Sequence, residues 1–522
     1  MLLVSVCVPR TNRRRSSLHN KPLPALAERG EPCNVAGPGS TRKSRARLVH
    51  TTGGHSASAR AAPTYRNDRR TETHPNFPAT LGGMSGGPAI GSPRPPVAKL
   101  LVWLVILAGL VLTVGSVVAL FLWLLDLVTR WQWQVPALLF LLPLLGVLSH
   151  ALYERAGGQA SQGNTLLFRE ILRPSEGLPL RMAPLVLLGT LLTHLGGGSA
   201  GREGTALQIG GSLASSLDRL ARRLAPGHWH PSPDEQRLML RCGVAAGFGA
   251  VFGTPFAGAV FALEVLTAPR VGVRSVLTTV LVCLATALAA DAVTLAWGIA
   301  HTSYPELTRA ALGVGAADIR LLGKVLLAAL VFAVAGVLFA AAAQAVARQL
   351  SAHVSRRWLH PVLGSAAVVA AVLLLDTRDY LGLGVLSPPG GQASIVTSFD
   401  PNTDMPAWTA LAKVGFTAVT VGSGFKGGEV TPLFFVGSTL GHTLGSALGA
   451  PVALFAALGF VAVFAAATKT PLACTVMGLE LFGGEMALYL AVACFAARAV
   501  SGRLSIYAHH GERQAGQKTC SE

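Results

Sequence analysis

From about residue 97 onward, apolar residues run in long stretches that charged residues interrupt only at intervals. Leu100–Leu125 holds 26 residues without a charge. As a helix rising about 1.5 Å per residue, it would be about 39 Å long, enough to cross a hydrocarbon layer of about 30 Å with some tilt. Further spans are predicted at 134–152, 183–200, 242–263, 272–298, 325–346, 361–375, 406–424 and 485–500. Leu433–Thr468 has 36 residues free of Lys, Arg, Asp and Glu, which predicts two helices. Three segments, 194–212, 243–258 and 421–438, are too rich in glycine for plain lipid-facing helices. Irregular backbone at membrane depth survives only where protein buries it or it lines a cavity, so these segments are predicted to face inward. The expected fold class is an all-α membrane protein.

Residues 1–96 are different. They are rich in Arg, Ser, Pro, Gly and Thr and show no apolar period. No core could offset the entropy lost on ordering them, so they are expected to form a solvated tail. The opening MLLVSVCV is too short for a secretory h-region and lacks a basic flank. Met84 offers a second translation start, which would leave residues 1–83 outside the working protein. The expected organisation is this tail, a first membrane repeat over 97–310, a second over 311–510 and a short tail over 511–522.

Composition agrees with the pattern. Charged residues make up 13% of the chain and apolar residues 51%, whereas soluble domains carry about 25% charged residues. A soluble enzyme of this length could not cover its surface. The formal net charge is +18, but residues 1–83 hold 14 Lys and Arg against 4 acids. More than half of the excess therefore lies in the tail, and the main body offers no basic surface for nucleic acid. The seven cysteines show no metal-type spacing. Neither a disulfide framework nor a metal site is expected.

The strongest signal is an internal repeat. GTLLTHLGGGSAGREGTALQIGGS (189–212) and GFTAVTVGSGFKGGEVTPLFFVGS (415–438) share 9 identities in 24 positions at an offset of 226. TPFAGAVFALEV (254–265) and TPLACTVMGLEL (470–481) share six of twelve at an offset of 216. Repeated, glycine-broken hydrophobic segments are the mark of transporters, whose sites lie near the midplane where interrupted helices meet. An inverted arrangement of the halves is expected.

Glu203 is the sharpest chemical candidate. It follows a glycine cluster, stands beside Arg202 and opens a predicted half-helix. An acid at this depth is costly and marks function unless it merely caps a helix or pairs with its neighbour. Free N–H groups and the positive end of a helix dipole bind anions. A carboxylate there would mimic an anion, and protonation would release it, coupling anion binding to proton uptake. Glu429 is its repeat mate, as much a candidate hydrogen-bond acceptor for helix ends as a transport residue. Thr205 and Thr431 are possible hydroxyl donors, although a buried Thr often bonds back to its own helix. Glu264 and Glu480 end matched helices and read as helix ends at the membrane surface. His194 is given no role. A hydrolase would need a nucleophile with an adjacent base, and no such pair stands out, so the chain is not expected to be an enzyme.

GREGT (201–205), GGEVTP (427–432), AAGFGAVFGTPFAGAVFALEV (245–265) and AAATKTPLACTVMGLEL (465–481) resemble the chloride-channel (CLC) family over about residues 97–510. The resemblance implies a homodimer of helical, inverted-repeat subunits, each with its own anion pore and needing no cofactor. It implies a gating role for Glu203, with Gly201, Arg202, Gly204 and Thr205 beside it. Gly428, Glu429, Val430 and Thr431 would line the second half. Asn164 in SQGNTLLF stands near the family's pore serine, and Tyr507 near its pore tyrosine.

The departures are specific. Thr205 replaces a usual proline, GGEVTP carries an extra acid, and Val265 stands where chloride/proton exchangers carry an internal proton-transfer glutamate. Together they resemble the fluoride/proton antiporter branch. Fluoride holds its water tightly, so a selective site must replace hydration with strong donors. Asn164, Thr431 and Tyr507 would supply them. The expected function is fluoride export driven by inward proton flow across a bacterial inner membrane. The alternatives are a chloride/proton exchanger and a passive anion channel.

Overall fold

A computed structural model describes residues 96–265, 273–315 and 318–507. The expected tail residues 1–95 and the segment 511–522 lie outside the described residues. Sixteen α-helices are present among the described residues, and the one β-bridge joins Gly201 to Gly428. In chain order the first eight are α1 (Pro96–Gln134), α2 (Leu142–Ala156), α3 (Asn164–Leu172), α4 (Met182–Leu195), α5 (Glu203–Leu224), α6 (Pro233–Phe252), α7 (Pro255–Glu264) and α8 (Val273–Ala296). The rest are α9 (Arg309–Leu312), α10 (Ile319–His353), α11 (Leu359–Leu375), α12 (Thr409–Gly422), α13 (Val430–Ala447), α14 (Val452–Thr468), α15 (Pro471–Phe482) and α16 (Ala487–Val500).

Four helical stretches are long and apolar enough to cross a membrane: Val97–Gln134, Pro136–Ala156, Ser275–Ala296 and Ile319–His353. Their outward faces present leucines such as Leu101, Leu104, Leu277, Leu281 and Leu327. A water-facing surface would not carry so much contiguous apolar area. By contrast, α14 is buried on every side from Leu454 to Thr468, as a helix apolar all round must be.

The two halves repeat one another. The pairs α4–α5 and α12–α13 carry the first echo, and α6–α7 and α14–α15 the second. Within each half, helices approach backbone to backbone. A Cβ on Gly210 would run into the carbonyl of Gly243, and the same holds for Gly437 and Gly459. Small residues thus set the packing distance, as in lipid-embedded helix pairs.

The span predicted over 242–263 is not one helix. It breaks at Gly253, whose left-handed φ of +70° ends α6 before Pro255 starts α7. The equivalent residue in the second half, 216 positions on, is Lys469 at φ +69°. A side chain strains that conformation. Here its Nζ donates to Ala466 O, Ser501 O and Ser501 Oγ at 2.6, 3.0 and 2.7 Å. The 433–468 run does form two helices, α13 and α14.

Glu264 and Glu480 are not idle helix ends. Glu480 accepts from Phe256 N and Ala257 N at 2.9 and 2.7 Å, capping α7. Glu264 accepts from Leu472 N and Ala473 N at 3.0 and 2.7 Å, capping α15. Each helix therefore ends at the other's beginning, so α7 and α15 run antiparallel. That is what a two-fold axis across equivalent helices produces, and it makes the repeats inverted. Removing one carboxylate strands two amide donors. Glu480→Ala is expected to cost about 1–2 kcal/mol, read as a lower melting temperature in detergent, with Glu264→Ala matching it.

Candidate functional site: two half-helix ends around a buried carboxylate

The glycine-rich segments do not continue the helices before them. After α4 the chain unwinds over 196–202, and after α12 over 423–429. The two unwound segments pair: Gly201 N donates to Gly428 O and Gly428 N to Gly201 O, both at 2.6 Å. Further ties cross the repeats, with Ser199 Oγ 2.9 Å from Thr417 Oγ1 and Ser199 N donating to Thr420 Oγ1 at 3.2 Å. The His194 ring nitrogens lie 2.8 and 3.0 Å from the carbonyl oxygens of Thr190 and Ala200, anchoring the first segment.

This pairing brings the starts of α5 and α13 together. Glu203, fully buried, is the first residue of α5. Its Oε2 accepts from Thr431 N at 3.0 Å and from Arg202 N at 3.1 Å. Its Oε1 accepts from the Thr431 hydroxyl and lies 3.9 Å from Arg202 Nε. The carboxylate thus sits on the first turn of α13, where the dipole and the free amides favour negative charge. An isolated carboxylate could not be buried so deeply; three hydrogen bonds and a guanidinium make it tolerable.

Two cavities flank this point. One of about 440 Å3 is lined by the last turns of α1, by His194 and Arg202, and by the 381–388 loop. We call it the vestibule. The other, about 280 Å3, is lined by Asn164, Gly204, Glu429, Val430 and Tyr507. We call it the inner cavity. Arg202 belongs to one and Gly204 to the other, and Glu203 stands between them.

The sequence-predicted residues are therefore partly gathered. Asn164 Oδ1 accepts from Gln208 Nε2 at 3.1 Å, which turns the Asn164 amide nitrogen towards Gly204. The Tyr507 hydroxyl is buried without a hydrogen-bond partner among the described residues, and its ring packs edge-on to Phe168. Gly201 and Gly428 contribute backbone rather than side chain. Thr205 is not brought to the cavities. Its hydroxyl lies 2.7 Å from that of Thr190, tying α5 to α4. Val265 caps the end of α7.

Two inner-cavity residues were missed from sequence. Gln208 is an amide on the side of α5 that lines the inner cavity, one turn beyond Gly204. Lys426 lines the inner cavity with its Nζ 4.3 Å from the Tyr153 ring centre. Its stem lies where a Cβ on Gly189 would be, at 2.9 Å. The lone cation inside GSGFKGGE was the available signal.

With this geometry established, comparison with known proteins becomes informative. The voltage-gated chloride channel family model matches residues 144–502. The chain belongs to the CLC family. A CLC relative from Pseudomonas syringae pathovar tomato, named a chloride/fluoride channel protein, is 41% identical over 427 residues, covering 80% of this chain and 87% of its own. Among solved structures, a CLC-type fluoride/proton antiporter is 31% identical with a TM-score of 0.70, covering 80% of this chain and 98% of its own. A slow cyanobacterial chloride/proton antiporter, at 20% identity and a TM-score of 0.64, covers 82% and 100% and shares the fold.

Gln208 fixes the rotamer of Asn164, so Gln208→Leu is expected to act through Asn164. In flux assays of reconstituted protein, Gln208→Leu and Asn164→Ala should each lower anion transport about tenfold. The double variant should add little to either.

Proposed function

We propose that this CLC-family chain exports fluoride from bacteria in exchange for protons, with Glu203 as the coupling group. The observation that carries the reading is the seat of Glu203. Its carboxylate occupies the start of α13, between two cavities, in hydrogen bonds that an anion of similar charge would accept equally well. Protonation removes the charge, weakens those bonds and frees the seat. The same side chain then exchanges places with an anion and carries a proton as it moves. Val265 cannot carry a proton, so no second relay acid is assigned.

Fluoride is favoured by the donors around the path. The Thr431 hydroxyl and amide, the Asn164 amide and the unpartnered Tyr507 hydroxyl are strong donors, the kind that replaces fluoride's tightly held water. The names of the Pseudomonas relative and of the 31%-identical structure point the same way.

Sidedness follows from charge. Lys99 of α1 bonds Glu235 at the start of α6. The adjacent end of α5 carries Arg219, Arg222 and Arg223. The excess of Arg and Lys at membrane-proximal ends marks the cytoplasmic side. The inner cavity lies along α5 towards that end, and the vestibule lies where α1 finishes. Fluoride leaving the cell would meet Asn164 and Glu429 before Glu203. We place the protein in the inner membrane as a homodimer by likeness to its family.

A passive channel is the second reading, favoured by the word channel in the Pseudomonas relative's name. Purified protein in fluoride-loaded liposomes separates the two. The antiporter reading expects proton uptake in fixed ratio to fluoride efflux, and at least a hundredfold loss of coupled proton flux in Glu203→Gln. Fluoride efflux with no proton movement would establish the channel.

A further inference from the structure

The vestibule holds buried donors that have no hydrogen-bond partner among the described residues. Gln132, near the end of α1, is 4% exposed, and its Nε2 has no hydrogen-bond partner among the described residues. The Nε atoms of Arg202 and Arg378 are likewise buried without hydrogen-bond partners. All three residues line the same 440 Å3 cavity. They come from three separate elements: the last turn of α1, the unwound segment before α5, and the segment after α11. Arg378 is fixed in place by a hydrogen bond from Nη2 to the Gln132 carbonyl.

Charge in this cavity is one-sided. Arg130 is paired with Asp126 at 2.8 Å, and His301 with Asp291 at 2.7 Å. Arg202 has the Glu203 carboxylate at 3.9 Å. For Arg378, no carboxylate partner is found among the described residues. Stranded buried donors, two of them on guanidinium groups, are expensive, and a native structure that keeps them has a ligand or a second state that satisfies them. The chemistry they share is N–H donation under positive charge, which suits a small anion and excludes a cation.

We infer that Gln132, Arg202 and Arg378 form an anion site in the vestibule, outside the seat of Glu203. The inference rests on the antiport reading and extends it. While Glu203 is ionised, Arg202 is partly neutralised by it. Once Glu203 takes a proton and leaves, both guanidinium groups lack a counter-charge, and a second fluoride in the vestibule supplies it. An anion released from the Glu203 seat thus has a holding place before it reaches bulk water. An external anion meets the same place first, so its binding opposes return of the carboxylate.

The test is fluoride flux in both directions through oriented liposomes, with fluoride as the probe. For uptake from the vestibule side, Arg378→Gln is expected to raise the half-saturating fluoride concentration about tenfold, with the maximal rate within twofold. Arg378→Lys keeps the charge without the Nε donor and should fall between. Gln132→Leu should raise it about threefold. Loading from the opposite side should leave half-saturation unchanged in all three. Elution as a single sharp peak from a sizing column guards against misfolded variants. Calorimetric titration of fluoride into Glu203→Gln separates this inference from the transport reading: with its seat also vacated, two fluorides should bind when coupled flux is gone, and one in Glu203→Gln/Arg378→Gln. If Arg378→Gln and Gln132→Leu both leave half-saturation unchanged, or the double variant binds fluoride as Glu203→Gln does, the stranded donors are satisfied by water only and the site does not exist. Coupled proton flux surviving in Glu203→Gln would instead overturn the transport reading while leaving the vestibule result intact.

Discussion

A carboxylate buried at the meeting of two helix starts is the constraint around which the rest is arranged. Taking such a group out of water costs several kcal/mol even after relaxation. Thr431 N, the Thr431 hydroxyl and Arg202 N each return about 1.5–3 kcal/mol as hydrogen bonds to a charged acceptor. The balance is close, so the seat depends on the charge of the carboxylate. For this to work the two helix starts must be held against each other within tenths of an ångström. The paired Gly201–Gly428 backbone bonds do that, and the Ser199–Thr417 and Ser199–Thr420 ties brace them from the repeat side. Side chains at 201 or 428 would push the segments apart, since a Cβ on Gly428 would lie 2.9 Å from Gly204 N.

The same need for precision explains the reciprocal caps. The two halves must keep register far from the site as well as at it. Glu264, which caps α15, and Glu480, which caps α7, join the repeats at a second place, using the same device as the site itself: a carboxylate on a foreign helix start. The difference is what surrounds it. At α7 and α15 each carboxylate closes two amides of the partner helix, and the bond holds the repeats together. At Glu203 the same kind of bond stands between the vestibule and the inner cavity.

Much of this was legible in the chain. The repeat, the inward-facing glycine segments, and Glu203 with Thr431 were readable because an acid is rare in a membrane span and clustered glycines interrupt a helix, each for strong physical reasons. The break at Gly253 was hidden because an apolar run reads the same whether or not it bends, and its partner is Lys469, not a second glycine. Thr205 was misplaced because its hydroxyl finds Thr190 across a helix pair, a contact between residues 15 positions apart that spacing does not reveal. Gln132 and Arg378 were invisible for a related reason. They lie 246 residues apart, and each alone reads as an ordinary polar residue near a helix end.

The repeat also shows how a duplicated framework comes to place its two equivalent acids differently. Thr205 and Thr431 are equivalent, as are Thr190 and Phe416, at the same offset of 226. In the first half Thr190 engages the hydroxyl of Thr205, which turns it into the α4–α5 contact. In the second half the corresponding place is taken by Phe416, which has no hydroxyl and packs its ring against Tyr380. Thr431 is therefore left without that competitor, and its hydroxyl reaches across the repeat boundary to Glu203. Glu429 has no such hydroxyl waiting for it at position 205 and lines the inner cavity instead. This difference between the halves, a hydroxyl against a ring, accompanies the different surroundings of the two acids: Glu203 bonded to Thr431, Glu429 lining the inner cavity.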